Sequence, residues 1–276
     1  VSEVVLGRLT GLVIYPLKGA GGISLTASPV EGRGLRHDRR WMLVDGRGLF
    51  MSQRAHPELA LVRPEFVDSD TLRFGTTREG AGRVELPIDG DGPPLEVEVW
   101  GDRVLARTPS PEADAWFSSV LETECRLVVM PETSRRPTDP AYAEGFEVSF
   151  ADGYPFLMLS ENSLRELNRR LEHPVPMNRF RPNLVVEAET PAEPHAEDRW
   201  GPFRIGELEF RGVKPCARCT VTTVDQGTGV RGVEPLRTLA GYRAPEGKVL
   251  FGQNLVHRGE GTLRVGDALV ASPPGG

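Results

Sequence analysis

Cys216 and Cys219 stand in a C-x-x-C spacing inside R-G-V-K-P-C-A-R-C-T-V-T-T-V-D-Q-G-T-G, Arg211 to Gly229. Four chemistries use cysteines so placed. A dithiol redox pair needs the motif at a helix start, where the dipole lowers one thiol pKa. Here the β-branched run Thr220 to Val224 follows, which predicts a strand, with a turn at Asp225-Gln226-Gly227. A structural zinc site needs four ligands, but there is no second C-x-x-C and the nearest later histidine is His257. A cysteine nucleophile needs a histidine base, and none stands in a clear motif. The remaining chemistry is a single thiolate ligating a metal centre held in an organic cofactor, since thiolates suit soft or redox-active metals.

Cations placed to hold an anion lie far from the cysteines in sequence. Lys18 opens K-G-A-G-G, whose glycines leave backbone N–H groups approachable, although neither the glycine spacing nor a Lys-Ser/Thr pair makes it a Walker motif. Arg33, Arg36, Arg39 and Arg40 crowd eight positions. They read either as a solvated loop salt-bridged to Asp38 or as anion capture by guanidinium forks. Arg179, Arg181 and Asn183 precede an apolar strand, as rim residues or as a phosphate pocket. An anionic cofactor would account for Lys18, Arg39 and Arg181 as a phosphate cage.

The elements that must position these residues are mostly strands. With 31 glycines, 24 prolines and 276 residues, the chain favours short strands and tight turns in one large or two modest domains. Strands are expected at 4–17, 41–44, 59–62, 71–74, 84–88, 95–99, 127–130, 156–159, 184–186, 200–210, 250–256 and 262–270. Short helices are expected after Ser110, after Ser160 and over Glu234 to Tyr242. Cys125 reads as a buried strand cysteine. The acidic, Pro-rich stretch 187–198 and the stretch 131–145 read as loops, and the tail from Pro273 as loose.

A net charge of −6 gives no general footprint for nucleic acid. Three cysteines are too few for a disulfide framework and fit a reducing cytoplasm. The N-terminal residues lack the pattern of a signal peptide, and no apolar run is long enough to span a bilayer. A cytoplasmic protein, with no membrane or nucleic-acid partner, is the expectation.

The segment Pro215 to Asp225, with Gly229 and Glu234-Pro235-Leu236, resembles the MOSC domain of molybdenum-cofactor proteins. More narrowly, the chain resembles the amidoxime-reducing component family and its bacterial relatives. Tyr15-Pro16-Leu17-Lys18, Asp38 to Trp41, Phe156 to Glu161, Phe180 to Asn183 and Leu250 to Asn254 carry that likeness over nearly the whole length. It implies a mainly β (α+β) fold: an N-terminal β-barrel-like domain over 1–126, then a MOSC β-barrel domain with short helices over 127–276.

It further implies that Cys219 binds molybdenum of a pterin dithiolene cofactor, with Asp225 near the metal to steer substrate or protons. Lys18, Gly19, Arg39, Ser160, Arg181, Asn183, Gln253 and Asn254 would bind the cofactor. The implied activity is reduction of N-hydroxylated compounds (amidoximes, hydroxylamines) by oxygen abstraction at molybdenum. All three cysteines are placed, so no intrinsic iron–sulfur cluster is expected, and electrons must come from an external flavin, haem or iron–sulfur protein. A monomer acting on a small N-oxygenated substrate is expected. A carrier or sulfur-transfer protein using Cys219 is the competing reading, and a β protein with a structural Cys219 the third.

Overall fold

The computed structural model describes residues 4–189 and 193–272. The tail from Pro273 lies outside them. The backbone is organised by one closed sheet. Its strands run in the order Leu184–Ala188, Phe156–Ser160, Leu250–Arg258, Leu208–Ala217, Phe203–Ile205, Ala268–Ala271 and Val5–Ile14, and Val5–Ile14 pairs back onto Leu184–Ala188. Only Phe156–Ser160 with Leu184–Ala188 is a parallel pair in this ring. Inward residues such as Leu9, Leu12, Phe156, Met158, Phe203, Phe210 and Leu255 fill the interior. The first strand of the chain is therefore a stave of the barrel built mostly from the second half. Composition does not reveal this long-range pairing.

The rest of the first half forms smaller sheets. One runs Trp41–Val44, Arg126–Val129, Asp102–Arg107 and Pro94–Val99, and another Val62–Phe66, Thr71–Thr76 and Val84–Pro87. Trp41–Val44 is buried on both faces: Trp41 and Leu43 join one core, Met42 and Val44 another. That two-sided burial explains an unbroken apolar run where alternation would mark a wet face.

The helix Pro111–Leu121 is capped by Ser110, which accepts from the Ala113 amide, and has proline in its first turn as expected. Two expectations are corrected. Residues 57–61 form a 3₁₀ helix, with the strand starting at Val62. Thr220–Thr223 is also a 3₁₀ helix and not a strand. Its hydroxyls decide the matter: Thr222 Oγ1 donates to the Cys219 carbonyl at 3.0 Å, and Thr223 Oγ1 to the Thr220 carbonyl at 2.7 Å. Those bonds give β-branched threonines a turn conformation that valines at the same positions could not close. Cys125 is buried as expected, and burial raises its thiol pKa. Among the described residues no helix is long and apolar enough to cross a membrane.

Candidate functional site

The 3₁₀ turn fixes Cys219. Its backbone is extended (φ −122°, ψ −178°), and the turn begins directly after it. Buried Arg179 holds the turn from behind, donating to the Thr222 carbonyl through Nε and to the Glu234 carbonyl through Nη2, both at 2.9 Å. Cys216 lies in the barrel strand Leu208–Ala217. Neither cysteine is in a disulfide. Between them Arg218 places Nη1 3.1 Å from Cys216 Sγ and donates from Nη2 to the Phe180 carbonyl at 2.7 Å. Its buried Nε has no partner among the described residues.

Both thiols open onto a cavity shared by the two halves of the chain. Lys18, Gly19, Arg39, Arg181, Asn183, Cys219 and Asn254 line it, as do Arg54, Asp152 and Arg218. The charged residues in its wall are Lys18, Arg39, Arg54, Arg181 and Arg218 against Asp152, five cations to one carboxylate. Such an excess, in a chain of net charge −6, marks a place for an anion.

The cations are held by the fold. Lys18 Nζ donates to the Phe150 carbonyl at 2.8 Å and to Asp152 Oδ1 at 2.6 Å, and burial lowers its pKa despite that carboxylate. Arg39 pairs with buried Asp38 at 2.6 Å. Arg181 donates to the Ala20 carbonyl, and burial lowers its pKa to about 10. The guanidiniums of Arg39 and Arg181 lie 4.3 and 4.2 Å from the ring centroid of Tyr15. Both arginines have left-handed backbones, φ 49° and 56°, a conformation bulky residues avoid and functional sites retain.

Other expected site residues are placed elsewhere or already engaged. Asp225 does not line the cavity: its Oδ1 accepts from the Gly227 and Thr228 amides and from Thr228 Oγ1, which shapes its own turn. Ser160 caps the helix Glu161–Arg170 and donates to Glu197, so it serves the helix. Gln253 is buried outside the cavity lining. Asn183 does line the cavity, but its carboxamide donates to the Val13 carbonyl and accepts from the Leu157 amide. Asn254 donates to the Lys214 carbonyl. Within the arginine cluster, Arg33 and Arg40 tie down the 131–134 segment and Arg36 pairs with Glu31. Only Arg39 of the four reaches the cavity.

Sequence reasoning missed Trp100, Asp152 and Arg218. Trp100 is the first residue of a two-residue hairpin turn between Val99 and Asp102, a place where asparagine or glycine is usual. That mismatch was a readable signal. Asp152 carries none, because only the fold brings it to Lys18. Among the described residues no group of three or more His, Cys, Asp or Glu is placed to hold a metal ion alone.

Comparison with known families gives the MOSC domain over residues 146–270 and the MOSC N-terminal beta barrel domain over 6–124. The mouse mitochondrial amidoxime-reducing component 1 is 34% identical over 95% of this chain and 81% of its own length. The human protein of that name is 33% identical over 95% and 82%. The rice molybdenum cofactor sulfurase is 31% identical over 89% of this chain, which spans 32% of that longer protein. The cytoplasmic expectation is overturned by the mitochondrial names of the mouse, human and bovine relatives; a low cysteine count says only that disulfides are few, and both compartments allow that. With both domain models in sequence, and with relatives matched over four-fifths of their length, the chain belongs to the MOSC-domain family.

Proposed function

We propose that the chain is a molybdenum-cofactor-dependent reductase of N-hydroxylated compounds such as amidoximes and hydroxylamines. The observation that carries this is the cavity wall of five cations and one carboxylate around a free Cys219. The wall fits a group that is both anionic and metal-bearing. Lys18, Arg39 and Arg181 supply charge for a phosphate, buried Arg218 Nε is a donor without an acceptor among the described residues, and a thiolate is a suitable molybdenum ligand. The names of the mouse and human relatives support the reaction class.

In this reading Cys219 holds the metal, and Lys18, Arg39 and Arg181 hold the phosphate. Phe50, Trp100, Phe156 and Phe180 wall the cavity with apolar surface that limits water. When bound, the cofactor supplies two-electron oxygen abstraction, with electrons delivered singly by an external flavin, haem or iron–sulfur protein. The net change breaks the N–O bond, consumes two electrons and two protons, and releases water.

The test is molybdenum and pterin analysis of protein from a cofactor-competent host, wild type against Cys219→Ser, with benzamidoxime reduction by a chemical electron donor. Molybdenum is expected to fall in the variant. Equal metal in both removes the thiolate role. A second reading, cofactor carriage or sulfur transfer through Cys219, draws on the likeness to the sulfurases. Metal-replete protein without N-hydroxyl reduction supports it.

A further inference from the structure

The glycine loop after Lys18 serves two cavities. Lys18 and Gly19 line the cysteine cavity, whereas Gly21 and Gly22 line a separate groove of about 710 Å³. That groove runs between the helix Glu161–Arg170, the segment 177–182 and the face of the strand Val5–Ile14 turned away from the barrel core. The glycines make room for its wall. A Cβ at Gly21 would stand 2.8 Å from Arg63 Nη1, and one at Gly22 2.7 Å from the Tyr15 ring.

The groove carries positive charge that the protein does not answer. Its charged residues are Arg63, Arg165 and Arg181 against Glu161, an excess of two cations. Glu161 is already engaged, accepting from Thr10 Oγ1 at 2.6 Å. None of the three arginines pairs with a carboxylate among the described residues. Arg63 donates to the carbonyls of Ala60, Val62 and Gln226. Arg181 donates to the Ala20 carbonyl and, at 3.4 Å, to the Gln226 carboxamide oxygen. Arg165 is exposed and has no partner among the described residues. Two guanidiniums therefore converge on Gln226 with only neutral acceptors. Burial lowers the pKa of Arg63 as it does that of Arg181, a cost that an anion in the groove would relieve. Val13, Tyr15, Leu164, Met177 and Val185 give the rest of the wall an apolar surface. Charge beside apolar wall suits an amphipathic anion better than a bare ion.

The groove and the cysteine cavity share a partition. Arg181 lines both. Gln226, which it contacts, exchanges two hydrogen bonds with Gln53, at 3.1 and 2.9 Å, and Gln53 lines the cysteine cavity. One guanidinium cannot fully serve two anions, so an occupant on either side weakens binding on the other, and by the same factor in both directions.

We propose that the groove binds a phosphomonoester with an apolar body, its phosphate at Arg63, Arg165 and Arg181, and that its occupant opposes anion binding in the cysteine cavity through the shared Arg181. A dianion matches the excess of two charges, and phosphate oxygens match the guanidinium forks. The groove is independent of the reductase reading. The coupling rests on that reading, because it needs the anionic cofactor on the other side of Arg181.

The test is calorimetric titration of phenyl phosphate into the full chain, with inorganic phosphate and benzyl alcohol as probes lacking the body or the charge. Two forms report the groove alone: cofactor-free Lys18→Met protein, whose cysteine cavity is disarmed, and cofactor-loaded protein, whose cysteine cavity is filled. In both, phenyl phosphate is expected to bind more tightly than either probe. Arg165→Met should weaken it roughly fivefold and Arg63→Met roughly tenfold or more. Arg165 is exposed and unpaired, so its variant keeps the test decisive if Arg63→Met fails to fold. The loaded form should bind phenyl phosphate about fivefold more weakly than the cofactor-free form. Absence of phenyl phosphate binding, binding unmoved by both arginine variants, or inorganic phosphate bound as tightly overturns the groove. Equal affinity in the two forms overturns the coupling. Binding as expected in a protein that takes up no molybdenum supports the groove and leaves the reductase reading to fail alone.

Discussion

Lys18 Nζ lies 2.6 Å from Asp152 Oδ1, yet the lysine side chain is 8% exposed and the aspartate 80%. The ammonium is thus sunk in the wall while its counter-ion stands at the solvent boundary. Burial lowers the lysine pKa, and the neighbouring ammonium pulls the aspartate well below the usual carboxylate range in spite of desolvation. Anion affinity should therefore weaken as pH rises through the lowered Lys18 pKa, before the ordinary lysine value of about 10.4 is reached. Titration of inorganic phosphate from pH 7 to pH 10 checks this. Lys18→Met should lose about 10- to 100-fold at pH 7, the worth of one charged hydrogen bond. A flat profile would contradict the assignment.

The same pair has a sign for stability. A lysine whose folded pKa is depressed destabilises the native state at neutral pH, and that penalty is relieved as pH rises between its folded and unfolded values. Asp152, depressed in the native state, adds stability above its unfolded value that fades as pH falls into the acid range. Its exposure keeps that contribution within about 0–1 kcal/mol. Asp152→Asn should nonetheless lower the urea midpoint at pH 7, because the buried Lys18 ammonium loses its counter-ion.

Thiol labelling separates the three cysteines. Cys125 is buried, within reach of the Ser118 hydroxyl at 3.7 Å, and its pKa is raised. Cys216 and Cys219 are half-buried at a cavity. Iodoacetamide should modify the latter two in native cofactor-free protein and Cys125 only after unfolding, as read by peptide mass spectrometry. Rapid native labelling of Cys125 would place it wrongly.

Ser160 offers a contrast between two roles. Its hydroxyl caps a helix and donates to Glu197, whose carboxylate also takes the Ser163 hydroxyl at 2.6 Å. Ser160→Ala should cost about 1–2 kcal/mol in urea unfolding and leave molybdenum content as in wild type. Glu197→Ala should cost more, about 3 kcal/mol, because two buried hydroxyls and an amide lose their acceptor. Lost molybdenum in a stably folded Ser160→Ala protein would return the residue to the cofactor site.

Local rules read the capped helices and most strands correctly, because Ser110 and Ser160 signal starts and apolar alternation is a local property. They misread Thr220 to Thr223, where hydroxyl bonds outweighed β-branched preference. They could not sort Arg33, Arg36, Arg39 and Arg40, identical in type, since partners from residues 31, 38 and 132 decide which one remains facing the cavity. Composition also made 187–198 a surface loop, although Glu197 is 1% exposed and anchors two serines. Lys18, Arg181 and Cys219 were legible as chemistry from their types. Trp100 and Asp152 become legible only once a hairpin tip and a distant loop are set beside them.

The strand Val5–Ile14 bonds to Leu184–Ala188 on one side and Ala268–Ala271 on the other. A fragment beginning at residue 127 would keep the cysteine loop but leave a seam of unpaired backbone on both flanks, a template for self-association. During synthesis the strand Val5–Ile14 must wait for Ala268–Ala271 to emerge before the ring can shut. Expression trials that split the chain between residues 126 and 127 should therefore yield aggregates, and supplying residues 1–31 in trans, which include the partner strand of Gly261–Arg264, should restore solubility.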